Sequence, residues 1–184
     1  MHRRQPLPHL WMMTHERQGA DLFRALDRVP SGSGMVFRHY SLPADERRRL
    51  FLEVQGPARE RGLLLMLGGE PQLAEAWGAD GSHGRYGDPV SSGNLWRSAP
   101  VHNLNELEAA EAAGADFVFA SPVFPTRSHP DAVPLGVPGF AAIASRAKVP
   151  VIALGGMDGE RAKELNGTNI YGWAAVDAWS AGSG

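Results

Sequence analysis

Five of the seven histidines, His15, His39, His83, His102 and His129, stand at or just beyond the C-terminal ends of short apolar runs. Histidine titrates near neutral pH, donates and accepts hydrogen bonds, and binds metals, so such clustering suits proton transfer or ligand recognition. Each one taken alone also reads as a surface or packing residue. Their spacing lacks a metal signature such as His-Glu-x-x-His, so a zinc centre has little support. A second feature is Leu154-Gly155-Gly156-Met157-Asp158-Gly159, which follows another apolar run. Backbone N–H groups in a tight glycine turn suit a phosphate, although two glycines also simply permit a sharp bend. Asp177, behind the last apolar run, would repel a phosphate unless protonated or turned away. A third feature is the loop from Pro122 through Pro125, Thr126, Arg127, Ser128 and His129, stiff and rich in hydrogen-bond donors.

These residues need strands behind them, and the apolar runs supply candidates. They are Leu10–Thr14, Met35–His39, Leu63–Leu67, Gly81–His83, Leu95–Val101, Phe117–Ser121, Val151–Leu154 and Tyr171–Val176. Phe117–Ala120, uncharged and aromatic, is the pattern of a strand buried on both faces. Helical patterns lie between most of them: Asp21–Val29, Ala44–Arg61, Gln72–Trp77, Leu104–Ala113, Pro138–Ala147 and Gly159–Leu165. Two matched phrases, Glu75-Ala76-Trp77-Gly78-Ala79-Asp80 and Glu111-Ala112-Ala113-Gly114-Ala115-Asp116, each close a helix and lead into a strand. Strands alternating with helices predict an α/β fold with a parallel sheet, and eight units favour a closed (β/α)8 TIM barrel. An open doubly wound sheet is the alternative. Such barrels usually need ~250 residues, so at 184 residues this one should be compact, with short or missing helices. No helical pattern separates His83 from Leu95, and little chain follows the last strand. The chain reads as one domain over 1–184, with residues 1–8 an N-terminal extension and 180–184 a flexible tail. In a barrel, the C-terminal ends of the strands carry the active site.

Composition narrows the function. Hydrophobic residues at 43% argue for a globular chain. A net charge of −2, with no basic run beyond Arg47–Arg49, argues against nucleic acid as a partner. That triplet falls in a predicted helix and reads as a solvated face. Cysteine is absent, which removes disulfides, thiolate catalysis and cysteine-ligated zinc. No stretch approaches the ~20 apolar residues of a membrane span, and residues 1–8 lack the apolar core of a secretory signal. A soluble, cytoplasmic protein is expected.

Together these motifs resemble the thiamine phosphate synthase and TenI family of (β/α)8 barrels, which act in thiamine biosynthesis. The similarity is sharpest in residues 114–129, where Gly114-Ala115-Asp116 precedes Pro122-Val123-Phe124-Pro125-Thr126. It extends through Gly78–His83, the His102 region and Val151–Gly156, and runs in frame from about Leu10 to Val176. The resemblance implies a small phosphorylated heterocycle as ligand and a homo-oligomer. It also implies substrate contacts from Arg38, His83, Thr126, Ser128, His129, Gly155, Gly156 and Asp177.

Departures from the family pattern bear on the activity. A synthase joins an aminopyrimidine pyrophosphate to a thiazole phosphate with magnesium on the pyrophosphate. The family's Gln-x-Arg-x-Lys strand ending reads Val36-Phe37-Arg38-His39-Tyr40, which keeps the arginine alone. Its Asn-Asp-Arg, with a metal-ligating carboxylate, falls on Gly68-Gly69-Glu70. A second metal carboxylate maps onto Asp88, a poor magnesium anchor by itself. The terminal lysine of the Pro-Thr-x-Thr-Lys motif is His129, and the phosphate-binding serine is Asp177. The magnesium site thus reads as degraded, and no cofactor is expected. TenI-like members instead shift a proton to aromatise a thiazole phosphate tautomer, with a histidine after strand 5 as acid–base, and His102 matches that position. The serine supporting it in the family is Pro100 here, and His102 could equally cap the next helix, although Asn103 is the better cap. The expected reaction is therefore the TenI-like proton shift. The alternatives are the synthase reaction, a ligand-binding barrel without catalysis, and changed chemistry on a differently charged substrate.

Overall fold

The computed structural model describes residues 6–85, 94–128 and 130–179. Asp88, His129, residues 1–5 of the expected extension and the tail from residue 180 lie outside them. Eight parallel strands run in sequence order as a closed barrel. They are β1 (Leu10–Met13), β2 (Gly34–Phe37), β3 (Leu64–Gly68), β4 (Gly81–His83), β5 (Trp96–Val101), β6 (Phe117–Ala120), β7 (Val151–Leu154) and β8 (Gly172–Ala175). Among the described residues six helices accompany them: α1 (Leu22–Arg28), α2 (Ala44–Glu60), α3 (Pro71–Trp77), α4 (Leu104–Ala112), α5 (Gly136–Arg146) and α6 (Gly159–Glu164). The predicted elements match these to within two residues at each end. A 3-10 turn over Glu16–Asp21 has no counterpart in the sequence reading, because Gly19, at φ 47°, kinks the chain before α1 begins.

The described chain falls into two compact units. One holds β1 to β4, Trp96 and the chain from Val176 onward; the other holds Gly84, Arg85 and the run from Arg97 to Ala175. In the first, every residue of β2, β3 and β4 is buried, as expected where a parallel strand is covered on both faces. One face of these strands packs on the helices. Met35, Phe37, Leu65 and Leu67 join Leu22 and Leu26 of α1 and Phe51, Val54 and Ala58 of α2 in a single cluster. The α2 positions recur at helical spacing, so one stripe of that helix faces the sheet. On the other face the Trp11 indole lies where a Cβ on Gly34 would stand, 2.2 Å away. In the second unit Val118, Ala120, Val151 and Ala153 pack with Leu107 of α4 and Phe140 and Ile143 of α5.

The repeated Gly-Ala-Asp phrase has one structural job, performed once in each unit. Gly78 and Gly114 end their helices at φ 72° and 80°, a left-handed conformation that glycine adopts without strain. Two residues later, Asp80 gives its N–H to the Leu65 carbonyl and accepts the Leu65 N–H on its carboxylate, both at 2.8 Å. Asp116 forms the same pair of bonds with Arg97, again at 2.8 Å each. Each aspartate thereby clamps the incoming strand to its neighbour and sets the parallel register, Met66 beside Gly81 and Ser98 beside Phe117.

Candidate functional site

In the first unit the strand ends gather basic side chains. Arg38 follows β2 and is anchored on the segment after β1: its backbone N–H donates to Thr14 Oγ1 at 2.9 Å and its Nε to the Thr14 carbonyl at 2.7 Å. Its Nη2 is buried and has no hydrogen-bond partner among the described residues. A buried guanidinium N–H left open costs free energy until an acceptor arrives, and an anionic oxygen satisfies it best. Burial lowers the Arg38 pKa, while the Tyr40 and Glu16 charges oppose that shift. Glu16 accepts the Ser41 N–H at 3.0 Å. Burial pushes its carboxyl up, but hydrogen bonds from the Ser41 and Glu16 backbones outweigh burial and bring its pKa down to about 2.

Three of the strand-end histidines lie in this unit. His39, at φ 41°, is buried against the Phe37 ring at 4.8 Å and bonded through Nδ1 to Thr14 Oγ1 at 2.9 Å. His83 ends β4 and is buried, which together with the nearby Arg38 charge lowers its pKa to about 3. His15 caps the 3-10 turn: its Nδ1 accepts the Arg17 N–H at 3.2 Å, while Gln18 Oε1 accepts the His15 N–H at 2.8 Å. Burial lowers the pKa of His15 and of His39 as well, which favours their neutral form. The carboxylate of Asp177, expected to repel an anion, is instead held by Arg17, whose Nη2 reaches both of its oxygens at 3.0 Å. That ion pair cancels most of its field.

Arg47 corrects the sequence reading of its triplet. Arg48 and Arg49 are exposed, but Arg47 is only 9% exposed. It donates from Nε to the Arg38 carbonyl at 2.7 Å and from Nη2 to the Gly68 carbonyl at 2.5 Å. Its guanidinium also lies over the rings of Tyr40 and Trp77, at 5.3 and 5.5 Å. It therefore ties the end of β2 to the end of β3 while adding a fixed positive charge. Helical periodicity could have found it, because Arg47 starts the Arg47, Phe51, Val54, Ala58 stripe that faces the sheet.

In the second unit His102 follows β5. Its Nδ1 lies 2.7 Å from Glu106 Oε2, and Arg85 Nη2 reaches the same carboxylate oxygen at 3.3 Å. Arg85 Nη2 also lies 3.1 Å from Nδ1, a longer contact than the one to Glu106. In the tautomer whose Nδ1 proton is donated to Glu106, Nε2 is left as the acceptor, the arrangement of an oriented base. Burial raises the Glu106 pKa, but the His102 hydrogen bond and the His102 and Arg85 charges bring it below the usual range. The cap of α4 is Asn103, whose Oδ1 accepts the Glu106 N–H at 2.9 Å, so capping does not account for His102. Thr126 and Ser128 form a local turn, the Ser128 N–H donating to Thr126 Oγ1 at 3.3 Å.

Packing accounts for Gly155 and Gly156. Both have positive φ, 92° and 63°. A Cβ on Gly155 would stand 2.7 Å from Pro122 Cα, and one on Gly156 would stand 2.5 Å from the Pro125 carbonyl oxygen. The loop after β7 thus lies directly on the loop after β6. The N–H groups of Glu160 and Arg161 at the start of α6 are already taken by the Asp158 carboxylate, at 3.0 and 2.8 Å.

Among the described residues, those at the end of β3 do not fit the magnesium implied by the resemblance; Asp88 lies outside the described residues. At the end of β3 the Tyr40 hydroxyl occupies the room of a Cβ on Gly68, at 2.4 Å, and Gly69 has φ 139°, which side chains rarely adopt. Glu70 is exposed. Among the described residues no group of three His, Cys, Asp or Glu side chains could hold a metal ion.

A parallel barrel with charged and donor-bearing residues behind its strands is the architecture of barrel enzymes that handle small molecules. The family can be stated more closely. The chain belongs to the thiamine monophosphate synthase family, whose sequence model matches residues 12–179. It is similar to a protein of Aquifex aeolicus named putative thiamine-phosphate synthase 2, at 31% identity over 92% of this chain and 96% of the relative. It is also similar to the thiamine-phosphate synthase of Pyrococcus horikoshii, at 29% identity over 92% and 85% of the two chains. Among solved structures, thiamine phosphate pyrophosphorylase from Pyrococcus furiosus superposes with a TM-score of 0.79 at 28% identity, covering 94% of this chain and 87% of that one. Among the described residues no helix is long and apolar enough to cross a membrane.

Proposed function

We propose that this protein binds a small heterocyclic phosphate or pyrophosphate through Arg38 and carries out the coupling reaction for which its relatives are named. The carrying observation is the Arg38 guanidinium, anchored on Thr14, with a buried Nη2 that has no partner among the described residues. Coupling an aminopyrimidine pyrophosphate to a thiazole phosphate releases pyrophosphate, whose charge must be stabilised electrostatically as it departs. A guanidinium suits that task. The relatives' names support coupling better than the proton shift expected from the sequence departures. Pairing of Asp177 with Arg17 also removes one of the objections to an anion.

A second reading has its own observation. The 2.7 Å contact between His102 and Glu106 orients an imidazole as a general base for a proton shift on a thiazole phosphate. One pair of assays separates the two. Thiamine phosphate formation that Arg38→Gln reduces and His102→Ala leaves intact supports coupling. Conversion of the thiazole tautomer, lost by about 100-fold or more in His102→Ala, supports the second reading. Calorimetric titration with thiazole phosphate and with pyrophosphate tests the shared premise: Arg38→Gln should weaken binding about 10- to 100-fold. Equal affinity in wild type and Arg38→Gln would refute it.

A further inference from the structure

We infer that the anion site at the ends of β2 and β3 works without a divalent cation, its positive charge supplied by the guanidinium groups of Arg38 and Arg47. The inference rests on the reading that Arg38 receives the anion. Magnesium needs oxygen donors in near-octahedral array, supplied by one or two carboxylates beside the phosphate oxygens. The end of β3 offers a phenol instead, because the Tyr40 hydroxyl fills the room above Gly68, and the backbone of Gly69 disfavours any side chain. The Gly68 carbonyl, an oxygen that could have faced a cation, is taken by Arg47 Nη2 at 2.5 Å.

The charges there point the same way. Arg47 is fixed by bonds to the Arg38 and Gly68 carbonyls and by the aromatic rings it covers. Arg38 is fixed on Thr14 and keeps its Nη2 for a ligand. Glu16 is the carboxylate whose charge reaches both arginines, and it is already bonded to the Ser41 N–H. Among the described residues, Arg38 and Arg47, with the Arg17 charge also reaching Arg38, outnumber the one occupied carboxylate of Glu16, so the balance attracts an anion and repels a dication. A guanidinium also presents N–H donors in a planar fork that matches phosphate oxygens directly.

The test is calorimetric titration of the purified full chain with inorganic pyrophosphate, in EDTA and in magnesium chloride, for wild type and Arg38→Gln. Saturable binding in EDTA, no tighter with magnesium and weakened about 10-fold or more in Arg38→Gln, is expected. Arg47→Lys, checked for folding by circular dichroism, should weaken pyrophosphate binding in EDTA as well. Binding that requires magnesium yet still needs Arg38 overturns the inference while leaving the role of Arg38 standing. Binding indifferent to Arg38→Gln overturns both.

Discussion

Acidification should destabilise this protein through His83, and replacing that side chain should blunt the effect. His83 is 7% exposed, and burial beside Arg38 lowers its pKa to about 3. The unfolded chain restores the ordinary value of 6.5. As the pH falls, the unfolded state therefore takes up the proton first. The contribution of a neutral, buried His83 is complete above pH 6.5 and is lost progressively between about 6.5 and 3. One such group costs about 1.4 kcal/mol per pH unit inside that window. Between pH 7 and pH 5 His83 alone should remove about 2 kcal/mol, equivalent to roughly 4–8 °C in Tm for a chain of this size. His39 and His15, also lowered by burial, add losses of the same sign. Urea unfolding of wild type and His83→Gln at about pH 7 and about pH 5 isolates the His83 share. The stability difference between the two pH values should shrink by about 2 kcal/mol in the variant, whatever the substitution costs at neutral pH. An equal difference in both proteins would show that His83 is not held neutral by burial.

Other consequences can be measured on the same footing. Gly155→Ala should lower stability by about 3 kcal/mol, since its Cβ meets the Pro122 backbone at positive φ. Gly32→Ala, at φ 77° with no atom within 4 Å of the Cβ, should cost only about 1 kcal/mol. Similar urea midpoints for the two variants would refute the loop-on-loop account. Asp116→Ala should cost about 1–2 kcal/mol by leaving the Arg97 N–H without its carboxylate; an unchanged midpoint would remove the aspartate clamp from the argument. A double-mutant cycle on Arg17 and Asp177 should return a coupling of about 1 kcal/mol, as for a bidentate but part-exposed pair. If the pair shields a bound anion from Asp177, Arg17→Gln should weaken pyrophosphate binding and Asp177→Asn should restore it.

Much of this architecture was legible in the chain because its signals are local. Phe117–Ala120 is uncharged and apolar, and only a strand covered on both faces tolerates that. Gly114-Ala115-Asp116 announced a helix end and a strand start, since a left-handed glycine is required where the helix stops. The clamp formed by that aspartate was not legible, because Asp116 bonds Arg97 through space. Arg47 was misread for a related reason. A basic triplet suggests a solvated face, but only the packing of α2 on the sheet turns one of the three inward.

What the sequence determined by itself was the order of strands and helices, the parallel barrel they imply and the family, all written in short-range patterns of hydrophobicity and turn chemistry. The tertiary structure decided what the charged residues do. It paired Asp177 with Arg17, put Tyr40 in the room above Gly68, buried His39 and His83, and left Arg38 Nη2 without a partner among the described residues. Electrostatic effect depends on distance and burial, and separation along the chain specifies neither. Arg17 and Asp177, 160 residues apart in sequence and 3.0 Å apart in space, carry the reason.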